Sequence, residues 1–215
     1  MENIQDYINK TKSAVQKLYE AYISYYELLK IPERPVFFSW GDPNSVENKI
    51  AHEKWEKENS VKLKERTKRD NEFADEFFAR SMLCGSILQF AYQGIKTFSL
   101  NTTIPDNFNS VIKPKSTAEK FCIGRLIDDV PIGLIIFAGR NQAMHYDQKT
   151  LKEPNKTIFY KLANWYSETY KKWFIDSYFD LNNKDLIHYS ENILYKMGWA
   201  NYEFYEKELI EILHK

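Results

Sequence analysis

The longest apolar run in the sequence leads directly into a short polar segment: VPIGLIIFAGRNQAMH, residues 130–145. Asp128, Asp129 and Pro131 indicate that a new element begins here, because acidic residues and proline favour the first turn of a helix. Four apolar side chains then give this element a buried face: Ile132, Ile135, Ile136 and Phe137. A strand is the competing interpretation, since a short apolar run cannot be assigned by its period alone. We favour a helix because the sequence shows no partner strands.

Two aromatic-rich patterns beyond residue 150 predict two further helices. The first follows Pro154 and Asn155 and carries large side chains at helical spacing: Phe159, Leu162, Trp165, Tyr166, Tyr170, Trp173 and Phe174. The second begins near Asn183 or Lys184 and carries a similar set: Leu186, Ile193, Leu194, Met197, Phe204, Tyr205, Leu209 and Ile212. Such spacing is typical of helices that bury one face.

Upstream of the apolar run, a capping pattern predicts a helix from Thr117 to about Asp128. The hydroxyl of Ser116 can accept from the third backbone N–H, while Glu119 reaches back to the serine, the reciprocal arrangement of a capping box. Residues 101–115 carry two prolines and no periodicity, which predicts an irregular loop.

The first forty-five residues predict one helix and the start of another. Apolar residues at spacings of three, four and seven indicate a helix from Ile4 that ends before Pro32. Asp42 followed by Pro43 is typical of a helix N-terminus, so we expect a second helix to begin there.

The next stretch changes from charged to apolar. Residues 48–70 are mostly charged, which predicts a long surface helix with ion pairs between residues four apart. From Phe73 the apolar residues become frequent and indicate a buried helix that ends near Gly94. The sequence does not decide whether one bent helix or two covers this region.

Length and composition favour one all-α domain over residues 1–215. A chain of 215 residues can bury most of an apolar core, and no part is depleted enough in apolar residues to indicate disorder. Few glycines and prolines interrupt the periodic segments, so we expect a bundle of long helices. Residues 1–100 supply N-terminal helices, including the long charged helix, and residues 116–215 supply the rest.

The balance of charges and the positions of the two cysteines limit the possible functions and the cellular location. Thirty basic side chains balance thirty acidic ones, so any nucleic-acid contact is local rather than driven by a global positive field. Cys84 and Cys122 lie far apart in apolar stretches, which favours reduced thiols over a disulfide or a zinc site. The first six residues lack a signal-peptide pattern, and Val130 to Gly139 is about half a membrane span. We therefore expect a cytoplasmic protein without a membrane anchor.

The polar segment Arg140–His145 carries the residue types that metal-free RNA cleavage needs. Attack by the 2′-hydroxyl of RNA needs a base that takes its proton and positive charge that stabilises the phosphorane. Histidine exchanges protons near neutrality, and arginine presents a planar fork of donors to phosphate oxygens. Asn141 can orient the arginine or donate to the phosphate. This route needs neither a metal nor a cofactor.

Helix geometry separates the two charged residues of this segment. Five residues on a regular helix place two side chains about 140° apart and roughly 7.5 Å along the axis, so Arg140 and His145 do not share one face. Gly139 can break or bend the helix, and a long arginine can sweep toward the histidine. The competing interpretation is that both are ordinary surface or interhelical residues at a helix end.

The segment resembles the signature of HEPN-type ribonucleases, an arginine and a histidine separated by four to six residues, commonly with a polar residue after the arginine. Arg140, Asn141 and His145 match it with four intervening residues. The resemblance implies a helical bundle that acts as a homodimer on RNA, with a composite site where two copies of the motif face each other. In that site His145 is the general base or acid, Arg140 stabilises the phosphorane and Asn141 supports it, and the neighbouring Tyr146 contacts substrate or partner. The resemblance also implies a toxin or phage-defence role under a regulatory partner such as an antitoxin.

The other histidines are weaker candidates. His52 lies in a charged stretch, His188 in an apolar-patterned helix and His214 near the end of the sequence, where structural or solvent-exposed roles are commoner than catalytic ones. The sequence shows no recognised metal-ligand spacing and no glycine-rich phosphate loop.

Two alternatives remain open from the sequence. Basic and aromatic residues are mixed over residues 156–174, where lysines can hold phosphates while aromatic rings stack bases, although such spacing more often means a core or a dimer interface. The residues concerned are Lys156, Lys161, Lys171 and Lys172 with Trp165, Tyr166, Tyr170 and Trp173. The second function class is a non-catalytic helical module that binds RNA, a nucleotide or a protein partner.

Overall fold

The structure, a computed structural model, describes residues 3–30, 35–146, 150–183 and 189–214. These residues form eight α-helices and two short antiparallel hairpins. In chain order the elements are α1 (Ile4–Ser24), α2 (Val46–Glu58), α3 (Ser60–Asp75), α4 (Phe77–Phe98), β1 (Leu126–Ile127), β2 (Val130–Pro131), α5 (Ile132–Met144), α6 (Asn155–Ala163), β3 (Asn164–Ser167), β4 (Lys172–Ile175), α7 (Ser190–Met197) and α8 (Tyr202–Leu213). The same residues include three 3-10 helices, Tyr25–Leu29, Asp106–Phe108 and Thr117–Phe121.

The mostly helical structure agrees with the predicted all-α class, to which it adds the two hairpins. None of the helices in the described ranges combines the length and the apolarity that a bilayer crossing requires. The more specific expectation, a long-helix bundle of HEPN type, stays a prediction.

The chain divides into two compact units. We call Met1–Ala21 together with Phe78–Lys215 the main unit, and Tyr22–Phe77 the inserted unit. The polar segment after the apolar run belongs to the main unit. The single domain expected over residues 1–215 stays a prediction.

Helix α5 lies in the core of the main unit, with nine of its thirteen residues buried. Helices α6 and α7 and the 3-10 helix Thr117–Phe121 pack against it. A helix that is covered on several sides needs no polar stripe, which explains the uninterrupted apolar run. The helix interpretation is therefore confirmed over the strand, which is limited to Val130–Pro131.

Two glycines allow neighbouring elements to approach α5 closely. A Cβ on Gly133 would lie 2.4 Å from the backbone carbonyl oxygen of Phe121. A Cβ on Gly139 would lie 2.4 Å from Cδ1 of Ile193 and 3.0 Å from Cδ1 of Leu88. The helix continues through Gly139 to its end at residue 144, so this glycine does not break it. Its role is close packing.

The aromatic stretch after residue 154 forms a short helix and a hairpin, so the long aromatic helix predicted there is wrong. Helix α6 ends at Ala163, where the side-chain amide of Asn164 donates to the carbonyl of Tyr160 at 2.8 Å and satisfies one carbonyl of the last turn. Aromatic residues favour strands and pair well across them. The antiparallel register of β3 and β4 makes two such pairs: Trp165 with Phe174 and Tyr166 with Trp173.

The helix predicted over residues 117–128 is also wrong, because only the first five of them form a 3-10 helix. Ser116 makes no capping hydrogen bond, while the carboxylate of Glu119 accepts from the N–H of Lys115 at 2.8 Å. Gly124 has a φ of 91°, a conformation that a helix does not contain. The chain then turns through β1 and β2 into α5.

Helix α1 begins at Ile4 as predicted, but it ends at Ser24, well before Pro32, and the 3-10 helix Tyr25–Leu29 follows it. Two further helix boundaries in the first half also differ from the prediction. Helix α2 begins after Ser45, whose hydroxyl accepts from the N–H of Asn48 at 3.2 Å, rather than at Asp42. Helix α4 continues past Gly94 for another turn. This glycine marks a close approach instead of an end, since a Cβ there would lie 2.9 Å from the ring of Tyr7.

The last predicted helix is two helices, α7 and α8. Gly198 follows α7 in the left-handed conformation, with a φ of 73°, which is the usual signal for a helix C-terminus. Asn201 then caps α8, because its side chain accepts from the N–H three residues on at 3.0 Å. Asn183 precedes the start of α7 and is not helical, and residues 184–188, with the predicted Leu186, lie outside the described residues.

The inserted unit contains the charged stretch as two helices, α2 and α3, which meet at Asn59 instead of forming one long helix. No described residue of either helix is buried, and ion pairs between residues four apart occur as expected, for example Arg69 with Glu65 at 3.0 Å. The 3-10 helix at residues 25–29 packs on α3, with the ring of Tyr26 5.3 Å from that of Phe73.

Candidate functional site

The last turn of α5 carries the polar segment, and the helix ends at His145. The backbone of this histidine leaves the helical conformation, with φ −131° and ψ 37°, and its N–H donates to the carbonyl of Gln142 at 3.2 Å. The histidine is solvent-exposed and Asn141 is half-buried. The helix end therefore presents an imidazole and an amide at the surface of the main unit.

Asn141 and His145 line a common cleft of about 410 Å³. Together with Phe137 they are spaced four residues apart and so lie on one face of α5. The opposite wall consists of residues 150–155, which lead into α6. We call this space the α5 cleft.

The opposite wall supplies charged and polar groups to the α5 cleft. Lys152 is exposed there and brings a positive charge. The carboxylate of Glu153 accepts from the N–H and the hydroxyl of Thr157, at 3.1 and 2.8 Å, and so serves the N-terminus of α6. Oδ1 of Asn155 is buried in the wall without a hydrogen-bond partner in the described part of the chain.

Arg140 lies against α4 and is not among the described residues that line the α5 cleft. Its Nε donates to Oε1 of Gln89 at 2.6 Å, and its guanidinium carbon lies 4.7 Å from the centre of the Tyr92 ring. Nη1 donates to Oδ1 of Asn141 at 3.2 Å. Three of its five N–H donors have no hydrogen-bond partner in the described ranges. Arg140 and His145 thus face different sides of the helix, as their spacing predicts, while Asn141 is hydrogen-bonded to the arginine and lines the cleft with the histidine.

Because Oδ1 of Asn141 accepts from Arg140, the amide nitrogen of Asn141 is left to donate. The structure describes no partner for this nitrogen within the chain ranges it covers. Whether Asn141 orients the arginine or donates to a phosphate stays a prediction. Hydrogen bonds therefore link Gln89 on α4 to Arg140 and Arg140 to Asn141, which lines the α5 cleft.

Tyr146, the candidate contact to substrate or partner, is placed beside α4. Its side chain is half-exposed, and its ring lies 5.9 Å from that of Phe78 in an edge-to-face arrangement. It is not among the described residues that line the α5 cleft. Its role in binding stays a prediction.

Two glutamines that sequence reasoning missed support the site. Gln89 on α4 positions Arg140, and Oε1 of the buried Gln142 accepts from the N–H of Tyr189 at 3.1 Å, which ties α5 to the start of α7. Gln142 directly follows Asn141 in the sequence, so on the helix its side chain points in another direction, toward the core. Nothing in the sequence pairs Gln89 with Arg140, because 51 residues separate them.

The other candidate residues lie elsewhere. His52 is in the inserted unit, with Nδ1 3.7 Å from a carboxylate oxygen of Glu56, and His214 is exposed after α8. His188 lies outside the described residues. No three histidine, cysteine or acidic side chains gather as a metal site within the described ranges.

Both cysteines are free thiols, as expected. Cys84 is fully buried, whereas Cys122 is half-buried just after the 3-10 helix. Burial, with a smaller contribution from the charge of Glu119, raises the pKa of Cys122 to about 11. A thiol that holds its proton so firmly is a poor nucleophile at neutral pH.

No protein-family model, curated protein or solved structure matches this chain. The geometry and the chemistry of the α5 cleft therefore carry the functional inference.

Proposed function

We propose that this protein is a metal-independent endoribonuclease of the HEPN type, which cuts RNA by attack of the 2′-hydroxyl on the adjacent phosphate. One observation carries the proposal: His145 and Asn141 share an open cleft, and Asn141 is hydrogen-bonded to Arg140. Base, amide donor and guanidinium thus follow one another along the end of a single helix. The cleft volume of about 410 Å³ lies in the range of small-molecule sites.

In the proposed reaction the imidazole of His145 takes the proton of the 2′-hydroxyl. The 2′-oxygen then forms a bond to phosphorus, and the bond from phosphorus to the 5′-oxygen of the next nucleotide breaks. The leaving 5′-oxygen receives a proton from an imidazolium. The products are a 2′,3′-cyclic phosphate and a 5′-hydroxyl, so no oxidant, metal or water is consumed in this step.

Charge stabilisation in this proposal comes from groups that are already in place. Gln89 and Tyr92 hold Arg140 from behind, so its remaining N–H donors are oriented before RNA arrives. The amide nitrogen of Asn141 donates to a phosphate oxygen, and Lys152 attracts the neighbouring phosphate. Preorganised donors of this kind avoid the cost of reorientation in the transition state.

A homodimer completes the proposed site. Arg140 and His145 of one protomer face different sides of α5, so a second copy that presents its own α5 end brings an arginine toward the histidine of the first. The regulatory partner implied by the resemblance would act by covering this cleft.

The experiment compares wild type with His145→Ala and Arg140→Ala on mixed cellular RNA in EDTA, with detection of 2′,3′-cyclic phosphate ends. We expect wild type to produce these ends and each variant to lose about a hundredfold or more in rate. The matched control is His52→Ala, which removes a half-exposed histidine from the inserted unit and should cleave like wild type.

The proposal is falsified if His145→Ala, folded as judged by circular dichroism, cleaves RNA as fast as wild type. Cleavage that requires a divalent metal and disappears in EDTA would also contradict it, because the chemistry would then need a metal site. Cross-reconstitution provides a further check: a mixture of the two inactive variants should regain part of the activity if the site is composite.

One observation favours a second candidate, a non-catalytic module that binds RNA, a nucleotide or a protein partner in the α5 cleft. Arg140 is absent from the described lining of that cleft, so binding there does not require it. RNA binding by wild type that survives both substitutions, with no cleavage by any form, would establish the module instead.

A further inference from the structure

The hairpin formed by β3 and β4 exposes aromatic rings around a second depression of about 720 Å³, which we call the hairpin groove. Its aromatic lining is Tyr160, Trp165, Tyr166 and Trp173. Trp173 is 68% exposed and Tyr160 60%. Monomeric proteins rarely leave so many large rings together at the surface unless a partner covers them.

Three carboxylates line the same groove, and two of them are already paired. Asp128 binds the ammonium of Lys196 at 2.9 Å, and Glu168 binds that of Lys171 at 2.6 Å. Asp129 is exposed, and the described residues provide no hydrogen bond or ion pair to its carboxylate. The groove therefore combines open aromatic faces with one negative charge that nothing described in the chain neutralises.

The one lysine of the described lining does not neutralise this charge. The ammonium of Lys161 lies 5.7 Å from the ring centre of Phe108, a buried aromatic side chain of the 3-10 helix Asp106–Phe108. It is thus engaged in a cation–π contact of its own. A positive group from outside the chain would meet Asp129 without displacing an existing pair.

We propose that the hairpin groove binds an arginine side chain of a partner polypeptide. A guanidinium is planar and weakly hydrated, so it stacks on tryptophan and tyrosine faces while it donates in parallel to a carboxylate. The groove offers both surfaces, the rings of Trp165, Tyr166 and Trp173 and the carboxylate of Asp129. A lysine satisfies the charge but not the planar stacking, so arginine is preferred.

The charges of the groove distinguish this occupant from RNA. Aromatic rings also stack bases, but a nucleic acid would bring phosphates close to Asp129 and Glu168, and like charges repel. The groove is also larger than one guanidinium needs, so residues that flank the arginine have room beside it. The inference is independent of the ribonuclease proposal, since it uses none of the residues of the α5 cleft.

The test is a fluorescence-polarisation titration of the full chain with a labelled peptide of alternating glycine and arginine. The matched probe carries citrulline in place of arginine, which keeps the shape and removes the charge. We expect the arginine peptide to bind at least about tenfold more tightly than the citrulline peptide. A labelled oligouridine of similar length serves as the RNA probe, and a lysine peptide should bind more weakly than the arginine peptide.

Two pairs of variants locate the binding. Asp129→Asn removes one charge at a turn position with a φ of 61°, which asparagine adopts readily, and should weaken arginine-peptide binding about tenfold. Its control is Glu20→Gln, the same charge change on an exposed residue of α1. Trp173→Leu should also weaken binding, whereas Trp40→Leu, at a tryptophan that is 91% exposed in the inserted unit, should not.

Equal binding of the arginine and citrulline peptides would overturn the proposal, as would equal effects of Asp129→Asn and Glu20→Gln. Tighter binding of oligouridine that Trp173→Leu abolishes would assign the groove to RNA instead. A chain that is dimeric by sedimentation and becomes monomeric only in Trp173→Leu would assign it to a second copy. Arginine-peptide binding that depends on both Asp129 and Trp173 establishes the proposed site.

Discussion

At the scale of single residues, the support of Arg140 decides what the α5 cleft can do. An arginine side chain has several rotatable bonds, so the position of its guanidinium depends on what holds it. Here Oε1 of Gln89 accepts from Nε at 2.6 Å, and Tyr92 lies under the planar group at 4.7 Å. These two α4 residues hold the arginine in one orientation from which it reaches Asn141.

We predict that Gln89→Leu lowers kcat for RNA cleavage about tenfold with little change in KM, because one hydrogen bond to a charged donor is lost while the cleft keeps its lining. Gln89→Glu keeps an acceptor at the same position and should retain most of the activity. The measurement is steady-state cleavage of a fluorogenic oligonucleotide.

The control for this prediction is Gln93→Leu, which changes the same side chain one turn further along α4, where its amide donates to the hydroxyl of Thr97 on the surface. It should leave both kinetic constants unchanged. A loss of activity in Gln89→Leu that Gln89→Glu shares, or that follows a drop in thermal stability, would show that the glutamine acts only on the fold.

At the scale of elements, α5 depends on how closely its neighbours approach. We predict that Gly133→Ala lowers the free energy of unfolding by about 2 kcal/mol, because the new Cβ would meet a backbone carbonyl that cannot move alone. The loss of unfolding free energy in Gly139→Ala should be smaller than that in Gly133→Ala by at least about 1 kcal/mol. The ends of the Ile193 and Leu88 side chains can rotate away, and alanine favours a helix. Guanidinium unfolding of both variants checks this order. Equal losses would mean that the carbonyl of Phe121 yields as easily as a side chain.

The sequence predicts α1 and α5 because their apolar residues dominate a long window or an unbroken run. It does not predict the hairpin of β3 and β4, since aromatic pairs at residues 165–166 and 173–174 satisfy both a helical spacing and a cross-strand register. The end of α6 decides between them: Asn164 donates to the carbonyl of Tyr160, and the N–H of Asp176 donates to the carbonyl of Ala163 across the hairpin. The histidine and asparagine of the cleft are evident in the sequence, whereas Gln89 and residues 150–155 join the site only through folding.

At the scale of the whole molecule, buried tyrosines couple stability to alkaline pH. Burial raises the pKa of Tyr7 to about 12, although a backbone hydrogen bond at Gly94 lowers it slightly. Burial also raises the pKa of Tyr19 and of Tyr205, which pack ring to ring at 6.0 Å. Unfolding would expose all three to water and return them to the ordinary value of 10.0.

A raised pKa in the folded state means that the unfolded chain loses these protons first. The contribution of the three protonated tyrosines to the free energy of unfolding is therefore complete below about pH 10. It is lost as the pH rises toward 12, at up to about 1.4 kcal/mol per pH unit for each tyrosine. We expect the guanidinium midpoint to fall over this window. Tyr205→Phe should reduce the slope, and an unchanged slope in that variant would show that other groups control the alkaline transition.

The pairing of Tyr19 with Tyr205 joins the first described helix to the last, and this has a consequence during synthesis. Helix α1 leaves the ribosome long before α8 exists, and at about 5–20 residues per second the delay amounts to roughly 10–40 s. For that time the apolar face of α1 has no native partner in α8. A nascent chain of this protein therefore offers chaperones an early binding segment, and the main unit closes only after its last helix has emerged from the exit tunnel.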